Sequence, residues 1–265
     1  MLKRVTQVLQ YLSIDILIGA VILLRFFSKR AEVQVELPVY IILASVVWLI
    51  YTFDHLKDAN DAPHSLRGRY RFHLAFRNPI VSLMWVVLTT ALILVFFVPS
   101  TLILSGLILF VFCVSYFLFQ KQLAFWGLKE ACIALMYTSG ILLVPTVYTR
   151  IFDVTSFLLL FVLASLNLII FSWMEMESDQ RDGFDSIATR FGKLFTEKLI
   201  LSVLAIGLTL SISSLQTDLY LSIYFMVSFS LYGVIVWVPG WFSLKERYRV
   251  LGDGVFILPL FFEFI

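Results

Sequence analysis

The sequence predicts an all-α integral membrane protein that crosses the bilayer many times. The chain of 265 residues is 60% hydrophobic and only 14% charged, and its mean hydropathy is +0.94. This composition excludes an ordinary soluble domain. Most basic residues also fall in the short segments that connect long apolar runs. We therefore expect a single transmembrane domain over residues 1–265, folded as a polytopic helical bundle.

Apolar runs recur along the whole chain. A transmembrane helix needs about 20 mostly apolar residues, and nine segments approach that requirement. The predicted spans are 8–27, 37–53, 79–98, 100–120, 130–148, 154–174, 196–215, 219–239 and 250–265. Only Pro99 and Ser100 separate the third span from the fourth, which predicts a tight turn. Lys3 and Arg4 mimic the start of a signal peptide, but Asp15 interrupts the first run and no small-residue cleavage site follows, so we expect a retained helix.

The distribution of basic residues predicts the orientation. With the N-terminus in the cytoplasm, sixteen of the twenty Lys and Arg residues lie on the cytoplasmic side and four on the other. This asymmetry follows the positive-inside rule. We expect the chain in the cell membrane, the inner membrane of a bacterium. Loop-borne basic residues at a membrane suit lipid headgroups or an anionic substrate and do not indicate nucleic acid.

Two acidic triads follow two of the apolar runs. Asp54, Asp58 and Asp61 lie in FDHLKDAND, and Glu175, Asp179 and Asp182 lie in EMESDQRD. Both triads have the spacing i, i+4, i+7, which places three like charges on one helical face, where they repel each other. Pro63 and Gly183 predict helix ends just beyond each triad. Each triad is therefore expected on the last turns of a helix, where the helix dipole also opposes negative charge.

A divalent cation would offset this repulsion. Mg²⁺ prefers oxygen ligands, and proteins usually hold it with one or two carboxylates and substrate phosphate oxygens. A cation transporter would carry its acids near the bilayer midplane, whereas these acids lie at span ends. The pattern favours a Mg²⁺-dependent site for a substrate with a charged head and an apolar tail. The six triad acids are its predicted metal ligands.

The run EMESDQRDGFDSIATRFGK, from Glu175 to Lys193, resembles the second motif of the UbiA superfamily of membrane prenyltransferases. That motif runs D-x-E-x-D-x-x-x-G-x-x-[ST]-[LI]-[PA]-x-R-[LF]-G. It is matched by Glu177, Asp179, Gly183, Ser186, Ile187, Ala188, Arg190, Phe191 and Gly192. The first family motif, N-D-x-x-D-x-x-x-D, is similar to Phe53, Asp54, Asp58 and Asp61. FWGLKE resembles the family's Y-x-x-x-K element, with Lys129 as its lysine and Phe125 in place of tyrosine.

The resemblance implies a UbiA-like bundle of nine helices and a prenyl transfer reaction. An allylic prenyl diphosphate would bind to Mg²⁺ at the two motifs, lose pyrophosphate, and pass its prenyl group to a hydrophobic or aromatic acceptor. Asp54, Asp58, Glu175, Asp179 and Lys129 would then be catalytic. Diphosphate contacts are expected from Lys129, Arg190, Lys193, Arg67 and Arg71, because basic side chains stabilise a departing phosphate charge.

Two alternatives remain open at the level of the sequence. A transporter of similar architecture would carry charged or helix-breaking residues near mid-span, and Pro145 and Asn167 are the main examples. A non-catalytic relative would bind prenyl diphosphate or lipid without turnover, which fits the altered motif positions Phe53, Glu175 and Phe125.

A few further residues carry structural expectations. The three histidines, His55, His64 and His73, lack metal-ligand spacing, so structural or surface roles are expected. Asp253 is expected to cap a helix end, although it could also reach the acidic segments.

Overall fold

A computed structural model describes residues 2–62 and 64–262. All regular structure within these ranges is helical. The α-helices are α1 (Leu2–Tyr11), α2 (Ile14–Arg30), α3 (Leu37–Asp61), α4 (Gly68–Ala75), α5 (Arg77–Leu94), α6 (Ser100–Phe125), α7 (Lys129–Thr149), α8 (Val154–Asp182), α9 (Ile187–Phe191), α10 (Lys193–Ser213), α11 (Leu219–Trp237), α12 (Pro239–Ser243), α13 (Arg247–Gly254) and α14 (Pro259–Phe262). Short 3₁₀ turns at Val95–Phe97, Ser214–Gln216, Leu244–Glu246 and Val255–Ile257 extend or join them.

Seven helical segments are long and apolar enough to cross a membrane. They are Leu37–Asp61, Arg77–Phe97, Ser100–Phe125, Lys129–Thr149, Val154–Asp182, Lys193–Gln216 and Leu219–Trp237. Each corresponds to one of the predicted spans, and the turn expected at Pro99 and Ser100 separates the second of these segments from the third. The prediction of an all-helical, multi-pass membrane protein is confirmed at this level.

The first and last predicted spans differ from that pattern. The first predicted span is interrupted between α1 and α2, where Ser13 adopts a left-handed backbone conformation with φ of 55°. Trp48 Nε1 donates a hydrogen bond of 3.0 Å to the Leu12 carbonyl and so satisfies an acceptor that the helix end exposes. The last span is divided into α13, a 3₁₀ turn and α14, and residues 263–265 lie outside the described ranges.

The core of the bundle is centred on α8. In the 18-residue apolar stretch of α8, 56% is buried inside the protein, compared with 11% in the corresponding stretches of α5 and α6. Leu160, Leu163, Leu166 and Ile170 of α8 are fully buried within the main hydrophobic cluster. The outward faces of α5 and α6 are apolar and exposed, which is the arrangement expected where helices contact lipid.

Both triad-bearing helices extend well beyond their apolar runs. Helix α3 continues to Asp61 and α8 to Asp182, so each triad lies on the final turns, as predicted. Gly183 has φ of 76° and forms the left-handed cap of α8, which confirms the helix stop expected there. Pro63, the expected stop after α3, lies outside the described residues, but α3 does end just before it.

Candidate functional site

The two acidic triads lie at the same end of the bundle. The segment after α3 joins them, because Ser65 and Arg67 bond to the second triad while Tyr70 bonds to the first. We call this group of six acids the acidic mouth; it comprises Asp54, Asp58, Asp61, Glu175, Asp179 and Asp182. The mouth brings together side chains from two distant parts of the chain, since the bonded residues Ser65 and Asp182 are 117 positions apart.

Arg67 contacts all three acids of the second triad. Its Nη1 lies 3.2 Å from Glu175 Oε2, its Nη2 lies 2.5 Å from Asp179 Oδ1, and its Nε lies 3.1 Å from Asp182 Oδ2. Nη2 also donates to Ser178 Oγ at 2.7 Å. Burial alone would lower the pKa of Arg67, but the neighbouring carboxylates, Glu175 first among them, raise it above its usual value. The guanidinium is therefore a permanent cation within the second triad.

Glu175 has two further partners from the C-terminal part of the chain. Arg249 forms an ion pair with Glu175 Oε1, and the Tyr248 hydroxyl donates to the same oxygen at 2.8 Å. Both donors lie on α13, which follows the last of the seven long helices. Glu175 thus accepts charge-assisted bonds from two arginines, an arrangement that compensates a largely buried carboxylate.

The first triad has far fewer partners. The Tyr70 hydroxyl donates to Asp58 Oδ2 at 3.3 Å. Burial is the main cause that raises the pKa of Tyr70 to about 12, so its hydroxyl remains a donor at neutral pH. Asp54 Oδ1 is buried and, within the described ranges, has no hydrogen-bond partner. Asp61 is exposed.

Close packing of α4 against α1 fixes the segment that carries Arg67. Gly68 begins α4, and a Cβ atom there would lie 2.4 Å from the Tyr11 hydroxyl. Glycine therefore allows α4 to approach α1 closely. Arg67 and Arg69 both lie over the Tyr70 ring, at 5.4 and 5.3 Å from its centroid, a geometry in which cations are attracted to the ring face.

The basic residues predicted to bind diphosphate occupy different places. Lys129 begins α7, donates to the Asp185 carbonyl at 3.4 Å, and attracts Asp54, Asp58 and Asp179 electrostatically. Arg190 lies with its guanidinium carbon 4.1 Å from the centroid of the Phe125 ring. Lys193 and Arg71 are exposed. Of the five predicted residues, Arg67 and Lys129 are thus the ones placed at the acidic mouth by contacts or electrostatic attraction.

Arg69 belongs to the same run of candidate basic residues as Arg67 and Arg71, and it also lies close to the mouth. It attracts both Asp54 and Asp58 electrostatically, as Lys129 does. The nearby Arg71 is exposed. Sequence spacing could not separate the two, because they flank Tyr70 symmetrically.

The loop between α8 and α10 is held by buried polar contacts. Glu130 Oε1 accepts from the Ile187 amide at 2.8 Å, and Ser172 Oγ accepts from the Ala188 amide at 3.0 Å. Ser186 and Thr189 form a capping box at the start of α9, which satisfies further amides. These motif positions therefore fix the shape of the loop behind the second triad.

The sequence analysis missed Tyr248, Arg249 and Glu130. One signal could have found the first two, because the tripeptide Arg-Tyr-Arg occurs at 69–71 and again at 247–249. In the structure each copy supplies a tyrosine hydroxyl to a triad, Tyr70 to Asp58 and Tyr248 to Glu175. No comparable pattern marks Glu130, which follows Lys129 directly.

The histidines occupy structural positions. His55 and His73 are buried, with ring centroids 5.2 Å apart in an edge-to-face contact. Burial lowers the pKa of His73, and its Nδ1 lies 2.9 Å from the Arg69 carbonyl. The two rings hold α4 against α3 and thereby position the Arg67 segment.

Among residues 2–62 and 64–262, no group of three or more His, Cys, Asp or Glu side chains has the spacing of a metal site. In the second triad the carboxylates surround a guanidinium, and each forms an ion pair with a different nitrogen. The predicted Mg²⁺ ligands are therefore brought to one end of the bundle, with the second triad already compensated by arginine.

The chain was also compared with protein-family models, curated proteins and solved structures, and none of them matches it. The chemistry of the acidic mouth is consequently the basis on which a function can be argued.

Proposed function

We propose that this protein is an integral membrane prenyltransferase with a UbiA-like bundle of nine membrane-crossing segments. It would transfer an isoprenyl group from an allylic prenyl diphosphate to an aromatic or lipid acceptor, with Mg²⁺ as cofactor. The seven long helices supply most of the bundle, and α2 and the α13–α14 segment would supply the other two crossings. The N-terminus and the acidic mouth would face the cytoplasm, in accordance with the distribution of basic residues.

One observation carries this proposal: six carboxylates gather at one end of an apolar bundle, together with cationic side chains. Arg67 contacts the second triad directly, and Lys129 and Arg69 attract the first electrostatically. A site with both acids and cations can hold a metal-bound diphosphate, whereas acids alone would repel one. The apolar helices beside the mouth suit a long hydrocarbon tail.

The first triad fits a divalent cation. Asp54 Oδ1 is a buried oxygen without a hydrogen-bond partner among the described residues, and Asp58 keeps one oxygen apart from its bond to Tyr70. Carboxylate oxygens are the ligands that Mg²⁺ prefers. Asp54, Asp58 and Asp61 would hold it on this side, and Glu175, Asp179 and Asp182 on the other. When bound, Mg²⁺ would neutralise charge on the departing pyrophosphate.

The protein's own residues would do the remaining work. Arg67 would hold a permanent positive charge at the edge of the second triad, where it attracts phosphate oxygens while its nitrogens remain paired with the triad acids. Lys129 would add a positive charge at the start of α7. Tyr70 would keep the Asp58 carboxylate oriented through its hydroxyl. The mouth is thus preorganised around the group that leaves, which is the requirement for electrostatic stabilisation.

The direct test is release of pyrophosphate by the purified protein in lipid nanodiscs. Farnesyl or geranylgeranyl diphosphate would be supplied with an extract of lipids and quinone precursors, in Mg²⁺ or in EDTA. The proposal predicts Mg²⁺-dependent release together with a prenylated product detected by mass. Asp58→Asn should abolish release, while Asp185→Asn, an exposed acid outside the triads, should not. Equal release by the wild type and Asp58→Asn would refute the assignment.

A non-catalytic prenyl-diphosphate or lipid binder is the second candidate. It is favoured by the saturation of Glu175 with Arg67, Arg249 and Tyr248, because those bonds compete with a metal for the same carboxylate. Phe53→Asn restores the asparagine of the family motif and separates the two functions. Turnover that appears only in this variant would identify the natural protein as a binder.

A further inference from the structure

A second polar region lies inside the bundle, apart from the six acids of the mouth. It borders a small, partly open cavity, which leaves about 20 Å³ for a guest the size of a water molecule. Ile16, Ile133, Ala164 and Leu168 form much of its apolar wall. The polar side chains that line it are Tyr51, Tyr137, Asn167 and Asp253. These four come from α3, α7, α8 and α13, so the cavity lies where four helices meet.

Two of these side chains present oxygen atoms that lack partners. Asn167 is 6% exposed, and its Oδ1 is buried without a hydrogen bond from any described residue. The Tyr137 hydroxyl is buried and equally unpartnered within the described ranges. Buried polar atoms in proteins are nearly always satisfied. Two orphan oxygens on the wall of one cavity therefore indicate a bound partner.

The buried carboxylate of Asp253 indicates that this partner is positively charged. Asp253 is 7% exposed, and its one hydrogen bond within residues 2–62 and 64–262 is a weak contact of 3.4 Å from Asn167 Nδ2. The expectation that Asp253 caps a helix end is thus wrong, since its side chain accepts from α8. No ion pair to Asp253 exists among the described residues. A buried carboxylate without a counter-charge is costly, above all inside a membrane protein.

Neighbouring charges do not remove this cost. Arg249, one helical turn earlier, and Arg69 attract Asp253 electrostatically, but Arg249 is ion-paired with Glu175 and neither arginine forms an ion pair with Asp253 among the described residues. Asp15 repels it. Asp253 also lies at the C-terminal end of α13, where the helix gives way to a 3₁₀ turn and the dipole is negative. Broken helices of this kind coordinate monovalent cations in membrane transport proteins, through carbonyl oxygens and helix C-termini.

We propose that Asp253, Asn167 and Tyr137 form a binding site for one monovalent alkali cation, with Tyr51 as a fourth oxygen donor. A single carboxylate matches a single positive charge, and the other three groups are neutral oxygen ligands. The bound cation neutralises Asp253 and ties α13 to α7 and α8. Because α13 also carries Tyr248 and Arg249, the cation stabilises the arrangement that compensates Glu175.

The test measures binding of radioactive Na⁺ to the full chain in nanodiscs by scintillation proximity, with choline chloride holding the ionic strength constant. We expect saturable binding of one Na⁺ per chain, displaced by NaCl or KCl and not by choline chloride. Asp253→Asn should abolish it. Tyr137→Phe should weaken the affinity about fivefold or more, the effect of losing one ligand contact of about 1 kcal/mol. Tyr220→Phe, an exposed tyrosine of α11, is the matched control and should bind as the wild type does.

Absence of saturable Na⁺ binding, or unchanged affinity in Tyr137→Phe, would overturn the proposal. Tyr137→Phe decides the matter if Asp253→Asn does not fold, because it removes only a hydroxyl that has no hydrogen-bond partner within the described ranges. The assay contains no prenyl diphosphate and no divalent cation. Its outcome is therefore independent of the proposed transferase activity.

Discussion

The two acidic triads share one spacing but differ in how their charge is compensated. In the second triad, Arg67 forms ion pairs with all three acids, and Glu175 is also bonded by Arg249 and Tyr248. Among the described residues, the first has a single hydrogen bond, of 3.3 Å from Tyr70, and it includes a buried oxygen of Asp54 that has no partner there. Identical spacing thus predicts identical repulsion, but among the described residues only the second triad forms ion pairs with arginine, whereas Lys129 and Arg69 attract the first triad without an ion pair.

This difference indicates that the second triad has a structural role and that the first binds the exchangeable cation. The ion pairs hold the second triad in a fixed arrangement, because breaking them would leave several carboxylates without a counter-charge. The first triad retains open oxygens and so offers the better place for an exchangeable cation. Variants of the two triads should therefore change stability in opposite directions and by different amounts.

Arg67→Ala should have the largest effect. It removes the guanidinium that contacts Glu175, Asp179 and Asp182, and loss of one partner from a buried ion pair costs about 3–5 kcal/mol. We expect a lower unfolding temperature, measured in nanodiscs or detergent, and partial recovery when Mg²⁺ is added. Arg71→Ala, which removes an exposed arginine of the same segment, is the control. Equal stability of these two variants would contradict the role of Arg67 as an internal cation.

The second largest effect should be on the affinity for a prenyl diphosphate in the presence of Mg²⁺. Asp58→Asn is expected to reduce Mg²⁺-dependent binding of a prenyl diphosphate about 10- to 100-fold, the range typical for altered metal sites. Asp179→Asn should reduce it less, because Asp179 Oδ1 is already bonded to Arg67 at 2.5 Å. Titrations of both variants against the same ligand would check the order. The reverse order would show that the second triad is the exchangeable one.

A smaller effect should separate the two tyrosine donors. Tyr248→Phe removes a hydrogen bond of 2.8 Å to Glu175, and bonds to charged groups contribute about 1.5–3 kcal/mol. Tyr70→Phe removes a longer bond of 3.3 Å to Asp58 and should cost less than about 1 kcal/mol. Unfolding temperatures of the paired variants test this comparison. Similar losses from both substitutions would mean that the two triads are equally dependent on their tyrosines.

Asp54→Asn should be close to neutral for stability, or slightly stabilising. It removes the charge from a carboxylate whose Oδ1 is buried and unpartnered among the described residues, and an unpaired buried charge is unfavourable. The same variant should still lose Mg²⁺-dependent ligand binding. A marked fall in unfolding temperature without Mg²⁺ would indicate that Asp54 already has a structural cation partner.

The sequence predicted the parts of this site that depend on local periodicity. The extension of α3 and α8 beyond their apolar runs followed from triad spacing, and the end of α8 followed from Gly183, whose φ of 76° favours glycine. Seven of the predicted spans were also recognised from apolar length alone.

Contacts between distant segments could not be predicted in the same way. The bond between Arg249 and Glu175 joins residues 74 positions apart, and the contact between Asn167 and Asp253 joins residues 86 apart. Neither has a spacing rule, since both depend on how α13 packs against α8. The division of the first predicted span likewise depends on Trp48, which reaches the Leu12 carbonyl from another helix.

The central claim is that the acidic mouth binds a diphosphate through a divalent cation. The most direct measurement is the affinity of a non-reactive farnesyl thiodiphosphate for the wild-type protein in nanodiscs, in Mg²⁺ and in EDTA. The account predicts tight binding in Mg²⁺, at least tenfold weaker binding in EDTA, and no change in Asp185→Asn. Equal affinity in Mg²⁺ and EDTA would contradict it and leave the mouth as an acid–arginine network with a structural role.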